Sequence, residues 1–219
     1  MKTTKRIGVF LSLMAAALEA QAPKAVPRID WSDPAGDVTD HNGAENSRDV
    51  INLALSSDGA NVHVKATVAA DERGTLAGDV AVLYFDLDGK TTTGGLTDFD
   101  QPGFEAVGRL SVCLSYDGRD IAACAGGVSD QKPKTRHARP VIEKFTGKPG
   151  QAMRPYESLD MVLDGFGPAE KPFSGRVFEF DFPYAKLGVK AGQTVRVLAR
   201  EGDQYSQEGF FPEVWLTLK

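Results

Sequence analysis

Apolar and polar residues alternate with a period of two along much of this chain, and that pattern restricts it to a fold built from sheets. In Asn61-Val-His-Val-Lys-Ala-Thr-Val, the residues Val62, Val64, Ala66 and Val68 share one side, and His63, Lys65 and Thr67 share the other. Such a segment is an antiparallel strand with one buried and one wet face. The run Val50-Ile-Asn-Leu-Ala-Leu precedes it across Ser56-Ser-Asp-Gly-Ala, a turn by composition, so the pair reads as a hairpin. Asp79-Val-Ala-Val-Leu-Tyr-Phe is apolar on both sides and predicts a central strand. Arg176 to Phe182 alternates again, with Phe178, Phe180 and Phe182 inward. Further strands are expected over Thr194–Arg200 and Glu213–Leu218. Only Pro183-Tyr-Ala-Lys-Leu-Gly suggests a helix, a single turn closed by Gly188. The expectation is an all-β, antiparallel β-sandwich, immunoglobulin-like or jelly-roll-like, with about eight to ten strands.

The amino terminus bears on compartment. Lys2, Lys5 and Arg6 precede an apolar run from Ile7 to Leu18, and Ala20-Gln21-Ala22 has the small-x-small pattern of a signal-peptidase site. Residues 1–22 are therefore expected to be a signal peptide, with secreted or periplasmic localisation. The alternative, a membrane anchor, needs roughly 20 apolar residues, and this run is shorter. The rest, 23–219, fits one sandwich domain. The net charge of −5 becomes more negative once the basic leader is removed, which argues against a nucleic-acid partner. No later segment is apolar and long enough to span a membrane.

In an exported chain the two cysteines, Cys113 and Cys124, are free to form a disulfide. If Gly118 and Arg119 make a two-residue turn, Leu110–Tyr116 and Ile121–Cys124 form a hairpin that places the two thiols opposite one another. With the turn centred on Asp117-Gly118 they are instead two small buried thiols.

Val128 to Glu157 stands apart. It is rich in Pro and Gly and carries Lys132, Lys134, Arg136, Arg139, Lys144, Lys148 and Arg154. It reads as a basic loop insertion at 128–157, either a solvated excursion with one short edge strand near Val141 to Phe145, or a surface that docks an acidic partner.

The most specific chemical feature is Asp86-Leu-Asp88-Gly89, followed by Thr93-Gly94, Asp98-Phe-Asp100 and Gly103-Phe-Glu105. Calcium takes six to eight hard oxygens from carboxylates, carbonyls and water. A D-x-D at a strand end supplies one carboxylate in the ladder and one at the loop mouth. Gly89 permits a sharp turn, and Glu105 on the next strand can close the cage. The spacing is not that of an EF-hand, in which Gly occupies the sixth loop position. Asp86, Asp88, Asp98, Asp100 and Glu105 are the candidate metal ligands; a solvated acidic hairpin loop is the alternative. Asp30, Asp33 and Asp37 near the start read as turn formers at the entry to the first strand.

For a sugar ligand the need is an aromatic face against C–H groups, and Trp215, Trp31 and Tyr156 are the candidates, with Tyr116 and Tyr205 behind them. Trp215 lies opposite the Val214, Leu216 and Leu218 side of its strand. No HExxH, GxSxG or GxxxxGK[ST] pattern occurs, and His41, His63 and His137 are scattered. The expectation is a protein without catalytic residues.

In their order along the chain, Asp33-Pro-Ala-Gly-Asp37, Asp49-Val50, Asp86-x-Asp88 with Thr93-Gly94, Gly103-x-Glu105, Phe182-Pro-Tyr-Ala-Lys-Leu-Gly and a Trp-bearing last strand resemble the DOMON-like superfamily of extracellular sandwiches, which includes family 9 carbohydrate-binding modules. The resemblance covers most of the chain after the leader. It implies a β-sandwich that binds carbohydrate or another small ligand, often with structural calcium. Glu105 stands where relatives tend to have Asp, and the basic insertion is atypical. Some DOMON domains hold haem through Met and His, for which His63 with Met153 or Met161 would be the residues here.

Overall fold

The computed structural model describes residues 24–34, 50–69, 78–97, 100–115, 135–152, 164–168, 177–201 and 211–219. They form an antiparallel β-sandwich. Twelve strands and one short helix follow in order: β1 (Ile29–Ser32), β2 (Val50–Ser57), β3 (Asn61–Val68), β4 (Gly78–Asp86), β5 (Gly95–Leu96), β6 (Pro102–Phe104), β7 (Ala106–Ser115), β8 (Thr135–Lys144), β9 (Asp164–Pro168), β10 (Val177–Pro183), α1 (Tyr184–Leu187), β11 (Thr194–Glu201) and β12 (Val214–Thr217). One sheet has the order β1-β2-β3-β10 and the other β12-β11-β4-β7-β8-β9; β5 and β6 form a small separate ribbon. No described helix is long and apolar enough to cross a membrane.

The period-two pattern produces the two layers directly. Leu53 and Leu55 of β2, Val62, Val64, Ala66 and Val68 of β3, and Phe178 and Phe182 of β10 meet Leu83 and Phe85 of β4 and Val195, Val197 and Ala199 of β11 in one buried cluster. Phe182 contacts Phe85 edge-on, with ring centroids 6.1 Å apart. Across the layer it lies so close to Gly108 of β7 that a Cβ there would stand 2.5 Å from the ring. Any side chain at 108 would force the sheets apart. Phe180 also faces inward, but it is only partly buried, because β10 is the edge strand of its sheet.

The β2–β3 hairpin is closed by chemistry local to the turn. Asp58 Oδ1 accepts from Ala60 N at 2.9 Å and from Asn61 N at 2.8 Å, and Gly59 adopts φ +98°, which glycine reaches without a Cβ penalty. At the same end of the sandwich, beside that turn, α1 is stopped as its sequence requires. Pro183 precedes it with extended geometry, and Gly188, at φ +81°, returns its N–H to Tyr184 O.

Two segments differ from the sequence expectations. Ile29–Ser32 is itself a strand, paired to β2 with Trp31 opposite Leu53. Residues 128–157 are not simply a loop. The segment contains β8, ten residues long, which pairs with β7 along its whole length and is covered on its far edge by β9. The position facing Cys113 on β7 is His137 of β8. Cys124 lies outside the described residues, as do the expected signal peptide at 1–22, Asp37, Asp98, Met153, Tyr156 and Met161.

Candidate functional site

β4 ends at Asp86, and its last side chain points away from the sandwich core. On that outer face Asp86 stands opposite Arg196 of β11, which in turn stands opposite Trp215 of β12. Asp86 is completely buried. Its Oδ1 accepts from the N–H groups of Asp88 (3.2 Å) and Gly89 (2.6 Å), an Asx turn that folds the chain back just after the strand. Its Oδ2 accepts from Arg196 Nε at 2.8 Å. The arginine is held on every side: Nη1 donates to Glu213 Oε2, Nη2 donates to Pro102 O at 2.7 Å, and the guanidinium carbon lies 4.5 Å from the Phe104 ring centroid. The loop conformation is thus set by one buried ion pair and several backbone donors.

Glu105, between β6 and β7, enters the same loop from the neighbouring chain segment. Its Oε2 accepts from Leu87 N at 2.6 Å and its Oε1 from Thr93 Oγ1 at 3.0 Å. Asp88 Oδ1 accepts from Lys90 N and Thr93 Oγ1. Ligand oxygens of Asp86, Asp88 and Glu105 lie within 4.8 Å of one another. Gly94, at φ +64°, packs so tightly here that a Cβ would stand 2.5 Å from Phe104 O and 2.7 Å from Glu105 Oε1.

The electrostatics follow from this crowding. Burial pushes the Glu105 carboxyl above its ordinary range, and the charges of Asp86 and Asp88 push the same way, while the hydrogen bonds from Leu87 and Thr93 pull it back. Together with Glu213, four carboxylates face two described cations: Arg196, and Lys90, whose Nζ is 3.6 Å from Asp88 Oδ2. The cluster carries surplus negative charge, made of hard oxygens.

Of the expected ligands, Asp86, Asp88 and Glu105 are brought together. Asp100 is exposed, takes a left-handed φ of +61° and is not part of the group. Among the aromatic candidates, Trp31 is a core residue, stacked on Phe211 at 5.4 Å and buried between the sheets, and presents no face to a ligand. Trp215 lies on the outer side of β12, partly buried, with its six-membered ring over Gly89; a Cβ at 89 would be 3.2 Å from the indole. Its Nε1 is buried without a hydrogen-bond partner among the described residues. A haem site would need a ring nitrogen of His63 for iron. Both nitrogens are engaged by carboxylates, Nδ1 with Asp181 at 2.6 Å and Nε2 with Asp58 at 3.1 Å. Arg196, which organises the loop, is not legible as a site residue in the sequence, because an arginine on a strand reads as solvent-facing.

Comparisons with protein families, with characterised proteins and with solved structures find no match to this chain.

Proposed function

We propose that the chain is an exported, non-catalytic binding module of β-sandwich type, in which a hard divalent cation, calcium by ligand chemistry, fixes the loop after β4, and a carbohydrate or similar small polar ligand is met beside Trp215. The observation that carries this reading is the convergence of Asp86, Asp88 and Glu105 oxygens within 4.8 Å in a cluster with more negative than positive charge. Carboxylate oxygens in that number and proximity suit calcium better than a softer ion. The donor set fits in chemistry: Asp88 and Glu105 would be the principal ligands, with the Thr93 hydroxyl beside them. Asp86, already bonded to Arg196, would act chiefly by holding the loop in shape. The bound ion would supply charge compensation and rigidity.

The non-catalytic reading rests on the state of the carboxylates. Asp86 is fully buried and Glu105 partly so, and both accept hydrogen bonds from their own loop, so they offer little to a substrate. The half-buried indole of Trp215, lying on the loop, supplies the apolar face that a sugar's C–H surface needs. The order of motifs similar to DOMON-like sandwiches supports the same reading, and the leader-like start at 1–22 supports export.

The test is calorimetric titration of the chain without its leader, first with calcium and then with a panel of soluble glycans, repeated on Trp215→Ala. Calcium binding followed by a glycan heat that Trp215→Ala removes is the expected outcome. A glycan heat unchanged in that variant moves the ligand site elsewhere, and no heat from any of the panel refutes the carbohydrate reading.

A further inference from the structure

The outer face of the four-stranded sheet carries a second cluster of titratable groups, well away in the sequence from the acidic loop. His63 of β3 faces Asp181 of the edge strand β10 in the sheet register, and its Nδ1 lies 2.6 Å from Asp181 Oδ1. Its Nε2 lies 3.1 Å from Asp58 Oδ2 in the β2–β3 turn. The three residues are partly exposed, and His63 and Asp181 line a shallow depression of about 540 Å³ together with Arg28, Lys65 and Glu179.

A neutral imidazole has one N–H and one lone pair, so it can donate to only one of two carboxylates. The other would then face a lone pair. Asp58 does not resolve the conflict by taking up a proton, because hydrogen bonds from the Ala60 and Asn61 amides, and then the bond from His63, hold its pKa down to about 2. Both contacts are satisfied together only by the imidazolium. We infer that His63 is a proton-operated clamp, whose imidazolium ties the β2–β3 turn to the edge strand β10 through Asp58 and Asp181.

The remaining charged groups around the ring are paired with others. Lys65, next on the same face of β3, bonds Glu179 of β10 at 2.8 Å, and Arg28, ahead of β1, bonds Asp30 at 3.2 Å. The group opposite His63 on β2 is Ser56, which carries no charge. The hydrogen bond to Asp181 is the largest influence raising the His63 pKa above 6.5, against the opposing effect of burial. The sign follows. The folded-state pKa is raised above the unfolded one, so the clamp's contribution is complete below about 6.5 and disappears as pH rises through the folded value. The shorter contact is the one to Asp181, so the last proton stays on Nδ1. Loss of the other unties the β2–β3 turn from the ring, while Asp58 Oδ1 still accepts from Ala60 N and Asn61 N; the Ala60 carbonyl of that turn accepts from Tyr184 N at the start of α1.

The experiment is an NMR titration of the imidazole resonances of the chain without its leader, with His63 assigned by loss of its signals in His63→Gln. The expected result is a His63 midpoint above 6.5 that falls in Asp58→Asn and falls further in Asp181→Asn. Above the midpoint the ring nitrogens should report the Nδ1–H tautomer, the minor form for free histidine. Amide exchange at Ala60 and Asn61 should show a several-fold step at the same midpoint, absent in His63→Gln. A wild-type midpoint at or below 6.5, or a neutral ring in the Nε2–H form, would overturn the proposal without recourse to any variant. An exchange step that persists in His63→Gln would overturn it as well.

Discussion

Two clusters of acidic groups stand on the outer faces of opposite sheets, and they solve the same problem differently. At the end of β4, Asp86, Asp88 and Glu105 crowd together, and the arginine that neutralises Asp86 is buried behind it. On the other sheet, Asp58 and Asp181 are held apart with an imidazole between them. The first arrangement leaves negative charge uncompensated and raises a carboxyl pKa; the second supplies its own cation and raises a histidine's. Carboxylates facing one another call for an ion from solution, whereas carboxylates separated by a base call only for a proton. Burial widens the contrast. Asp86 is fully buried, so its pairing is costly to disturb, while the His63 cluster is partly exposed and screened.

The largest expected effect tests that contrast at Arg196. Replacing it with Met keeps the bulk over Phe104 and leaves Asp86 buried without its counter-charge. The expected loss is about 3–5 kcal/mol by denaturant unfolding. A loss below about 1 kcal/mol would mean that the Asx turn alone accommodates the buried charge, and the two clusters would not differ in kind. Gly94→Ala should come next, at roughly 2–3 kcal/mol, since a left-handed φ and a 2.5 Å approach to Phe104 O are both violated; circular dichroism melts would measure it. Glu105→Gln sharpens the comparison because its sign depends on the medium. In chelator it removes a repelled, desolvated charge and should leave stability equal or slightly raised. In calcium it should remove most of the ion's stabilisation, which is about 2.7 kcal/mol at a hundredfold excess over the dissociation constant. The smallest effect belongs to His63→Gln, within the roughly 0.2–1 kcal/mol of exposed ion pairs. It should be seen below pH 6.5 and fade as pH rises, so melts of the two proteins converge at alkaline pH.

Much of the frame is legible in the sequence, and the reasons differ from strand to strand. β2, β3, β4, β10 and β11 declare themselves because most of their inward positions are apolar, buried Ser57 and Glu201 being exceptions near strand ends. α1 does so because Pro183 and Gly188 bracket it. β8 is legible only at its Val141-Ile142 end, because Thr135-Arg-His-Ala-Arg-Pro has no alternation and a single β-branched residue, Thr135; that half is a strand through tertiary pairing with β7 and β9, which overrides local preference. β5 and β6 are too short to show any period. At the acidic loop, Asp86, Asp88 and Glu105 are visible as a strand-end pair and a carboxylate on the next segment. Arg196 is invisible, since only the register of β4 against β11 brings it to a residue 110 positions earlier. The pairing of His63 with Asp181 is hidden for the same reason, being 118 positions apart. Trp31 is read wrongly as a ligand face because a four-residue edge strand does not reveal which of its sides is buried.

The most direct test of the central claim, that the loop after β4 is a cation site, is the melting temperature of residues 23–219 in excess calcium and in EDTA, compared with Asp88→Asn. Asparagine keeps the hydrogen bonds to Lys90 N and Thr93 and leaves the Asp86–Arg196 pair untouched. The account predicts a calcium-dependent rise of about 5–10 °C in the wild type that is largely lost in the variant. Superimposable melts in calcium and EDTA for the wild type would contradict it and leave Asp86, Asp88 and Glu105 as a purely structural turn.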